Sequence, residues 1–282
     1  MELIKTSNEL NQRLSAARGK GKSIGFVPTM GALHQGHLSL VEEAGRGCDL
    51  VVVSVFVNPT QFNDPKDLDR YPRDLDADME MLAKSPCELV FAPSVEEVYP
   101  KPDTRVFDFG QLEEVMEGKH RPGHFNGVAQ VVSRLFDMVK PDKAFFGQKD
   151  FQQMAIVRDM VQQLNLGTDI VACPIVRESD GLAMSSRNRL LTKKHRKSAP
   201  LIAKTLSESC NFVQSKKVAD AKTFVENVIN SDDNLELEYF EIVDGQTLQP
   251  VDNWAESNYI VGCIAVFAGE IRLIDNVIYK IA

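Results

Sequence analysis

Two histidines, His34 and His37, stand three positions apart with Gly36 between them, and they follow a turn-forming segment that contains Gly31. The apolar run at 24–29 before them predicts a buried strand, and an amphipathic pattern predicts a helix from about residue 37 to 45. A glycine-rich turn between a strand and a helix N-terminus presents backbone N–H groups and the positive end of the helix dipole, and both favour an anion. The imidazoles add exchangeable protons beside that anion. The sequence therefore predicts a phosphate site over residues 30–37.

A second polar cluster, at 145–153, also passes from a predicted strand end to a predicted helix start. Gly147 would let a ligand approach the backbone closely. Lys149 is a compact cation suited to phosphate oxygens, and Asp150 would accept hydrogen bonds from ribose hydroxyls. The alternative interpretation is an ordinary helix cap beside a surface lysine.

A third cluster, at 179–189, contains Ser185, Ser186 and Arg187. Two hydroxyls, a backbone loop and a guanidinium are groups that would wrap a triphosphate. The alternative interpretation is a serine-rich turn between two domains.

A fourth cluster, at 58–63, follows the most apolar predicted strand. Asn58 and Gln61 offer neutral donors and acceptors, which suit a small hydroxylated acid better than a charged clamp would. The alternative interpretation is turn chemistry around Pro59.

The elements that must position these clusters alternate between strand and helix over the first two thirds of the chain. Predicted strands lie at 24–29, 50–57, 88–92, 143–147 and 169–174, and predicted helices at 37–45, 75–84, 127–139 and 150–164. This alternation predicts an α/β fold with a Rossmann-like, doubly wound parallel sheet. Ligands bind beyond the carboxyl ends of the strands in such sheets, where the clusters fall.

After residue 174 the pattern changes to two helices followed by three strands without a helix between them. The helices are predicted at 192–215 and 218–231, and the strands at 235–243, 259–267 and 271–274; Pro200 is expected to bend or shorten the first helix. We therefore predict a smaller C-terminal α+β domain with an antiparallel sheet. The expected division is 1–176 for a nucleotide-binding domain and 177–282 for a smaller domain that covers the site.

Composition excludes several classes of function. The chain has 282 residues, is 43% hydrophobic and carries a net charge of −8, so it is a poor candidate for binding nucleic acid. Its five cysteines stand singly, without zinc spacing, which is typical of reduced thiols. The chain begins with a polar segment, and no apolar stretch reaches the roughly 18 residues of a membrane helix. We expect a soluble cytoplasmic protein without a membrane partner.

Five segments together resemble the pantoate–β-alanine ligase family over nearly the whole chain. They are FVPTMGALHQGHLSLV, VSVFVNPTQFNDPKDLDRYPRD, RPGHFNGVAQVVSRLF, KAFFGQKDFQQ and IVRESDGLAMSSRN. The HxGH pattern alone marks a superfamily that includes nucleotidylyltransferases and class I aminoacyl-tRNA synthetases. NPTQF together with RPGHF and GQKDxQQ is more specific.

The resemblance implies a ligase that works in two steps. ATP and pantoate would give pantoyl adenylate and pyrophosphate, and β-alanine would then attack the adenylate to release pantothenate and AMP. Mg²⁺ would accompany ATP, and the protein would be a homodimer. The loop at 121–126 is a hypothetical cover for the adenylate.

The resemblance also assigns roles to positions of this sequence. The catalytic residues would be His34, His37, Lys149 and Arg187. The ATP-binding residues would be Met30, Gly31, Ala32, Leu33, His34, Gln35, Gly36, His37, Gly147, Gln148, Lys149, Asp150, Val176, Met184, Ser185, Ser186 and Arg187. The substrate-binding residues would be Gln61, Gln153, Val128, Val131 and Val132, to which the fourth cluster adds Asn58.

Several points stay open at the level of sequence. The ligands of Mg²⁺ are unknown; Asp76 and Asp78 are candidates, with an exposed acidic helix face as the alternative. The KMSKS loop of the synthetases is replaced here by a segment in which Ala183 stands for the first lysine and Ser186 for the second basic residue. The rival functions are another HxGH nucleotidylyltransferase that acts on a phosphate ester, and a nucleotide-binding regulatory module without turnover.

Overall fold

The computed structural model describes residues 1–61, 68–69 and 71–281. Phe62 and Asn63, which belong to the predicted cluster at 58–63, lie outside the described residues. The chain forms two compact units. The first comprises Met1–Phe109, Arg121–Gly147 and Gln153–Pro174, and the second comprises Gly110–His120, Gln148–Gln152 and Ile175–Ala282. The second unit thus includes two short segments from within the range 1–176.

The first unit contains a parallel sheet, which within the described residues has six strands in the order β1-β4-β3-β2-β5-β6. The strands are β1 (Glu2–Ile4), β2 (Ile24–Thr29), β3 (Leu50–Val55), β4 (Leu89–Phe91), β5 (Lys143–Gly147) and β6 (Asp169–Cys173). The predicted parallel fold is confirmed. Strands β2 and β5 have the predicted bounds, and β3 is almost wholly buried, as its continuous apolar run predicts.

The helices follow the predicted order with shifted ends. They are α1 (Ser7–Arg18), α2 (Gln35–Gly47), α3 (Leu75–Leu82), α4 (Val95–Val98), α5 (Met116–His120), α6 (His124–Val139), α7 (Phe151–Gln163), α8 (Lys193–Ser198), α9 (Pro200–Ser209) and α10 (Val218–Asn230). Sequence analysis missed α1, although its buried residues Leu10, Leu14 and Ala17 have helical spacing. Helix α2 begins at Gln35 and not at about residue 37, because His34 acts as its N-cap.

The second unit contains an antiparallel sheet in the order β7-β8-β9, as predicted. Its strands are β7 (Glu236–Asp244), β8 (Tyr259–Ala268) and β9 (Ile271–Ile281), so β9 is longer than expected. Pro200 divides the helix predicted at 192–215, since α8 ends at Ser198 and α9 starts at the proline itself. Among the described residues, no helix combines the length and the apolar composition that crossing a membrane requires.

Candidate active site

The two histidines of the first cluster cap the same helix. His34 is the N-cap of α2, and its Nδ1 accepts a hydrogen bond from the N–H of Gly36 at 3.1 Å. Nδ1 of His37 accepts from the N–H of His34 at 3.3 Å, and the ring centroids are 4.0 Å apart. Because both Nδ1 atoms accept, each neutral ring carries its proton on Nε2, an assignment that follows from the hydrogen-bond pattern. Both neutral imidazoles therefore carry an N–H on Nε2.

The turn before these histidines requires a left-handed backbone. Gly31 has φ +77° and Ala32 has φ +51°. A Cβ on Gly31 would lie 2.8 Å from Oδ2 of Asp78 and 3.0 Å from Cγ1 of Val55. Both the backbone conformation and the available space thus call for glycine at position 31.

The carboxylate of Asp78 binds the backbone of this turn. Asp78 lies on α3 and is only 3% exposed, and it accepts hydrogen bonds from the N–H groups of Ala32 at 3.0 Å and Leu33 at 2.7 Å. The N–H of Gly31 donates to Oγ1 of Thr29 at 3.1 Å. The prediction of free backbone N–H groups is therefore wrong for most of the turn, because buried N–H groups need acceptors and the fold provides them. A phosphate here would depend on the imidazoles.

These contacts also change the interpretation of the two acidic candidates for metal binding. Asp76 is exposed, as the alternative interpretation expected, whereas Asp78 is buried and engaged with the turn. A sequence signal for this was present: Asp78 lies four positions before Leu82, in the buried stripe of α3, where an apolar residue is the norm. Within the described residues, no group of three or more His, Cys, Asp or Glu side chains is arranged to hold a metal ion.

In the fourth cluster, Asn58 forms hydrogen bonds within the fold, whereas the sequence predicted that it would bind the substrate. It is 1% exposed, and its Nδ2 donates to Oε1 of Gln61 and to the carbonyl of Gly127, each at 3.2 Å. Its Oδ1 accepts from the hydroxyl groups of Tyr99 at 3.0 Å and Thr60 at 3.1 Å. Because its polar atoms are engaged and buried, Asn58 orients Gln61 and is not placed to contact a substrate.

Gln61 joins the fourth cluster to the first. Its Nε2 lies 3.0 Å from Sδ of Met30, which is at the start of the predicted ATP segment. The backbone carbonyl oxygen of Gln61 lies 2.9 Å from Nδ1 of His124, the residue that begins α6. The structure thus brings together a predicted nucleotide contact and a predicted pantoate contact that are 31 positions apart.

Helix α6 packs its backbone directly on the turn that carries Gln61. A Cβ on Gly127 would lie 2.6 Å from the carbonyl oxygen of Thr60 and 3.0 Å from Cα of Gln61, so only glycine permits this approach. Three valines of the same helix, to which the resemblance assigns substrate binding, are buried: the exposed fractions are 2% for Val128, 5% for Val131 and 6% for Val132. Contact of these valines with pantoate stays a prediction.

In the second cluster, Gly147 ends β5 in an open environment. A Cβ built there has no heavy atom within 4 Å, and the φ of this residue is not positive. Neither packing nor backbone conformation explains the glycine, which is consistent with a ligand passing close to the main chain. Among residues 1–61, 68–69 and 71–281, no carboxylate forms an ion pair with the half-exposed Lys149. Its charge is therefore available for a phosphate.

Adjacent glutamines at the start of α7 have different environments. Gln152 is buried; its Nε2 donates to the carbonyls of Leu112 at 2.7 Å and Val115 at 2.9 Å, and its Oε1 accepts from the N–H of Glu117 at 2.9 Å. Gln153 is half-buried and belongs to the first unit. Gln152 is thus structural, and the substrate role of Gln153 stays a prediction.

The segment that Gln152 holds is also fixed by an ion-pair cluster in the second unit. Arg272 donates to both oxygens of Glu117, at 2.6 and 2.8 Å, and to Glu238. The hydroxyl of Tyr239 donates to Glu117 at 2.8 Å, and burial of this tyrosine raises the pKa of its phenol. These contacts stabilise α5 and have no direct part in the predicted chemistry.

The third cluster is built on a short hairpin. The N–H of Met184 donates to the carbonyl of Val176 at 3.0 Å, which brings together two residues to which the resemblance assigns ATP binding. Ser185 caps a short 3-10 helix, Ser186–Leu190, and its Oγ accepts from the N–H of Arg187 at 3.3 Å. Ser186 is buried at the start of that turn.

Comparisons with known proteins give consistent results. The model of the pantoate-beta-alanine ligase family matches residues 2–278. The pantothenate synthetase of Phocaeicola vulgatus is 58% identical over 281 residues, which cover 99% of this chain and all of that protein. The crystal structure of pantothenate synthetase from Thermus thermophilus superposes with a TM-score of 0.93 at 44% identity, covering 99% of this chain and all of that one. The crystal structure of pantoate-beta-alanine ligase from Francisella tularensis, complexed with beta-gamma ATP and beta-alanine, has a TM-score of 0.80 at 33% identity. The match covers 99% of this chain and 98% of that one.

Proposed function

The chain belongs to the pantoate–β-alanine ligase family, and on this premise we propose that it joins pantoate to β-alanine through a pantoyl-adenylate intermediate. The structural observation that supports this most directly is the contact between Gln61 and Met30. It brings a neutral donor suited to a hydroxy acid beside the segment that carries His34 and His37. The activity needs such an arrangement, because a carboxylate oxygen must reach the α-phosphorus of a nucleotide.

In the first step, a carboxylate oxygen of pantoate attacks the α-phosphorus of ATP, and the bond to pyrophosphate breaks. Two anions must approach each other, so cationic groups and hydrogen-bond donors have to offset their repulsion. We assign the fixed positive charge to Lys149 and Arg187. The Nε2–H groups of His34 and His37 donate to phosphate oxygens, on which negative charge increases in the transition state.

In the second step, the neutral amine of β-alanine attacks the acyl carbon, and AMP leaves. The leaving group is already good, so positioning of the amine contributes most of the rate. We propose that Gln61 and Gln153 orient the pantoyl group, and that Gln61 also serves β-alanine. Val176 and Met184 border the adenine ring in this scheme, while Gly147 and Asp150 hold the ribose.

Mg²⁺ belongs to the proposal only as a companion of ATP. Magnesium in nucleotide enzymes is held by substrate phosphates, waters and one or two carboxylates. The described residues contain no cluster of three metal-binding side chains, and Asp78 is engaged with the backbone of the turn. We therefore assign no protein ligand to the ion, whose contribution is to neutralise phosphate charge.

We further propose that the protein is cytoplasmic, that it forms a homodimer and that its two domains divide at residue 176. These proposals depend on the composition and the family resemblance. Sedimentation velocity of the purified chain tests the dimer, for which a monomer at all concentrations would be the contradicting result.

Product analysis tests the function itself. The chain is incubated with ATP, pantoate and β-alanine, and the products are separated by liquid chromatography and mass spectrometry. We expect equal amounts of pantothenate, AMP and pyrophosphate. Pyrophosphate release with a phosphate ester in place of pantoate, and without an amine, would favour the rival nucleotidylyltransferase.

A further inference from the structure

Two adjacent polar residues on β9, Asp275 and Asn276, are almost completely buried. Their exposed fractions are 4% and 2%, in a strand of the small antiparallel sheet. Neighbouring residues of a strand point to opposite faces, so their side chains reach different parts of the second unit. Sequence analysis assigned no function to either residue.

Asn276 binds the backbone of the second cluster. Its Nδ2 donates to the carbonyl of Gln148 at 2.8 Å and to that of Lys149 at 3.0 Å. Its Oδ1 accepts from Nε2 of Gln148 at 3.2 Å. All these atoms belong to the second unit. The three bonds fix the main chain from which the Lys149 side chain extends.

Asp275 binds the hairpin of the third cluster. Its two carboxylate oxygens accept from the guanidinium of Arg177 at 2.6 and 3.0 Å. The same guanidinium donates to the carbonyl of Gly181 at 3.1 Å, across the hairpin that leads to Met184. The Asp275 side chain is 3% exposed, so its carboxylate is withdrawn from water, whereas the side chain of Arg177 is 32% exposed. Two parallel hydrogen bonds fix the relative orientation of the two groups.

We propose that Asp275 and Asn276 are positioning residues for ATP, and that Asn276 acts through Lys149. These two adjacent residues of β9 thereby fix the spacing between the main chain at Lys149 and the hairpin that carries Met184 and Ser185. This inference rests on the proposed function, which assigns those residues to the nucleotide. Misplacement of a phosphate-binding cation by about 1 Å costs on the order of 100-fold in rate, so small backbone shifts at residues 148–149 are expected to matter.

The substitution Asn276→Asp tests this most sharply because it is isosteric. It keeps the Oδ1 acceptor but turns an oxygen, in place of Nδ2, toward two carbonyl oxygens. We expect kcat/KM for ATP in pantoate-dependent ATP–pyrophosphate exchange to fall about 10- to 100-fold, with the KM for pantoate unchanged. The control is Asn234→Asp in the same unit, where Nδ2 donates to Ser198 and Asp232, and wild-type kinetics are expected.

A double substitution separates positioning from a general structural effect. If Asn276 acts through Lys149, then Lys149→Ala combined with Asn276→Asp is no more impaired in exchange than Lys149→Ala alone. Independent, multiplying losses would overturn the inference. If Asn276→Asp does not melt cooperatively, Asn276→Ala, which removes the amide without adding charge, replaces it in the same comparison.

The outcomes distinguish this inference from the function on which it rests. Impaired exchange in Lys149→Ala with wild-type ATP kinetics in the Asn276 variants would overturn the positioning role and leave the proposed function intact. Wild-type exchange in Lys149→Ala would overturn the phosphate role of that lysine, and the inference would fall with it.

Discussion

Asp78 and Leu33, 45 positions apart, are joined by a 2.7 Å hydrogen bond between a buried carboxylate and a backbone N–H. A second bond, to the N–H of Ala32, completes the contact. The turn that leads into the paired histidines is therefore shaped by an acidic residue from a different helix, and not by glycine alone. The N–H groups of Ala32 and Leu33 are thereby bound within the fold and are not donors for a phosphate.

The substitution Asp78→Asn is expected to destabilise the protein and lower its activity. One acceptor is replaced by an NH₂ group that faces a backbone N–H, and an unsatisfied buried donor costs about 1–3 kcal/mol. Chemical denaturation measures the free energy of unfolding, and pantothenate formation measures the activity. Asp76→Asn on the exposed face of the same helix is the control, with no change expected. Equal behaviour of the two variants would show that the contact does not shape the turn.

Gly147→Ala is expected to leave folding intact and to weaken ATP binding. The new methyl group meets open space, and replacing glycine at a compatible position stabilises by about 0.4–1 kcal/mol. Gly167→Ala is the matched control, since its Cβ also meets nothing within 4 Å. Thermal melting should be unchanged or raised in both variants, whereas the KM for ATP should rise only in Gly147→Ala. An unaltered KM would mean that no ligand passes close to residue 147.

His37→Ala and Lys149→Ala are each expected to slow adenylate formation about 10²- to 10³-fold, with normal folding. Loss of one donor that stabilises transition-state charge costs about 2.7–4 kcal/mol. Single-turnover measurement of adenylate formation reports the step directly. Lys193→Ala, at an exposed position at the start of α8, controls for loss of a surface cation. Rates near the wild-type value in either site variant would remove that residue from the chemistry.

The stability of the first unit is expected to depend on pH through Asp103. Hydrogen bonds from Arg105 and Arg134 hold the pKa of this carboxyl far below its usual value of 3.8. A lowered pKa in the folded state contributes stability that is complete above the unfolded-state pKa of about 3.9 and is lost as the pH falls toward the folded-state value. Asp103→Asn should therefore unfold more easily than wild type at pH 7, and the difference should shrink below about pH 4. A difference that is constant from pH 7 to pH 3 would contradict this linkage.

Much of the fold could be predicted from the sequence because its signals are local. The runs at 24–29 and 143–147 have clear apolar patterns, and both strands have the predicted bounds. The polar residues that position the site form hydrogen bonds with segments far away in the sequence, and local sequence patterns do not indicate such pairs. Asp78 binds a turn 45 positions away, and Asn276 binds one 128 positions away. Asn58 illustrates the opposite case. The sequence assigned this polar residue to substrate binding, whereas in the structure it forms hydrogen bonds with Gly127 and Tyr99.

Pantoate-dependent exchange of labelled pyrophosphate into ATP, measured without β-alanine, tests the central claim most directly. If the chain activates the carboxylate of pantoate at the α-phosphorus, exchange should occur with pantoate alone and should collapse in Lys149→Ala. Exchange that requires β-alanine, or that proceeds equally well without pantoate, would contradict the account.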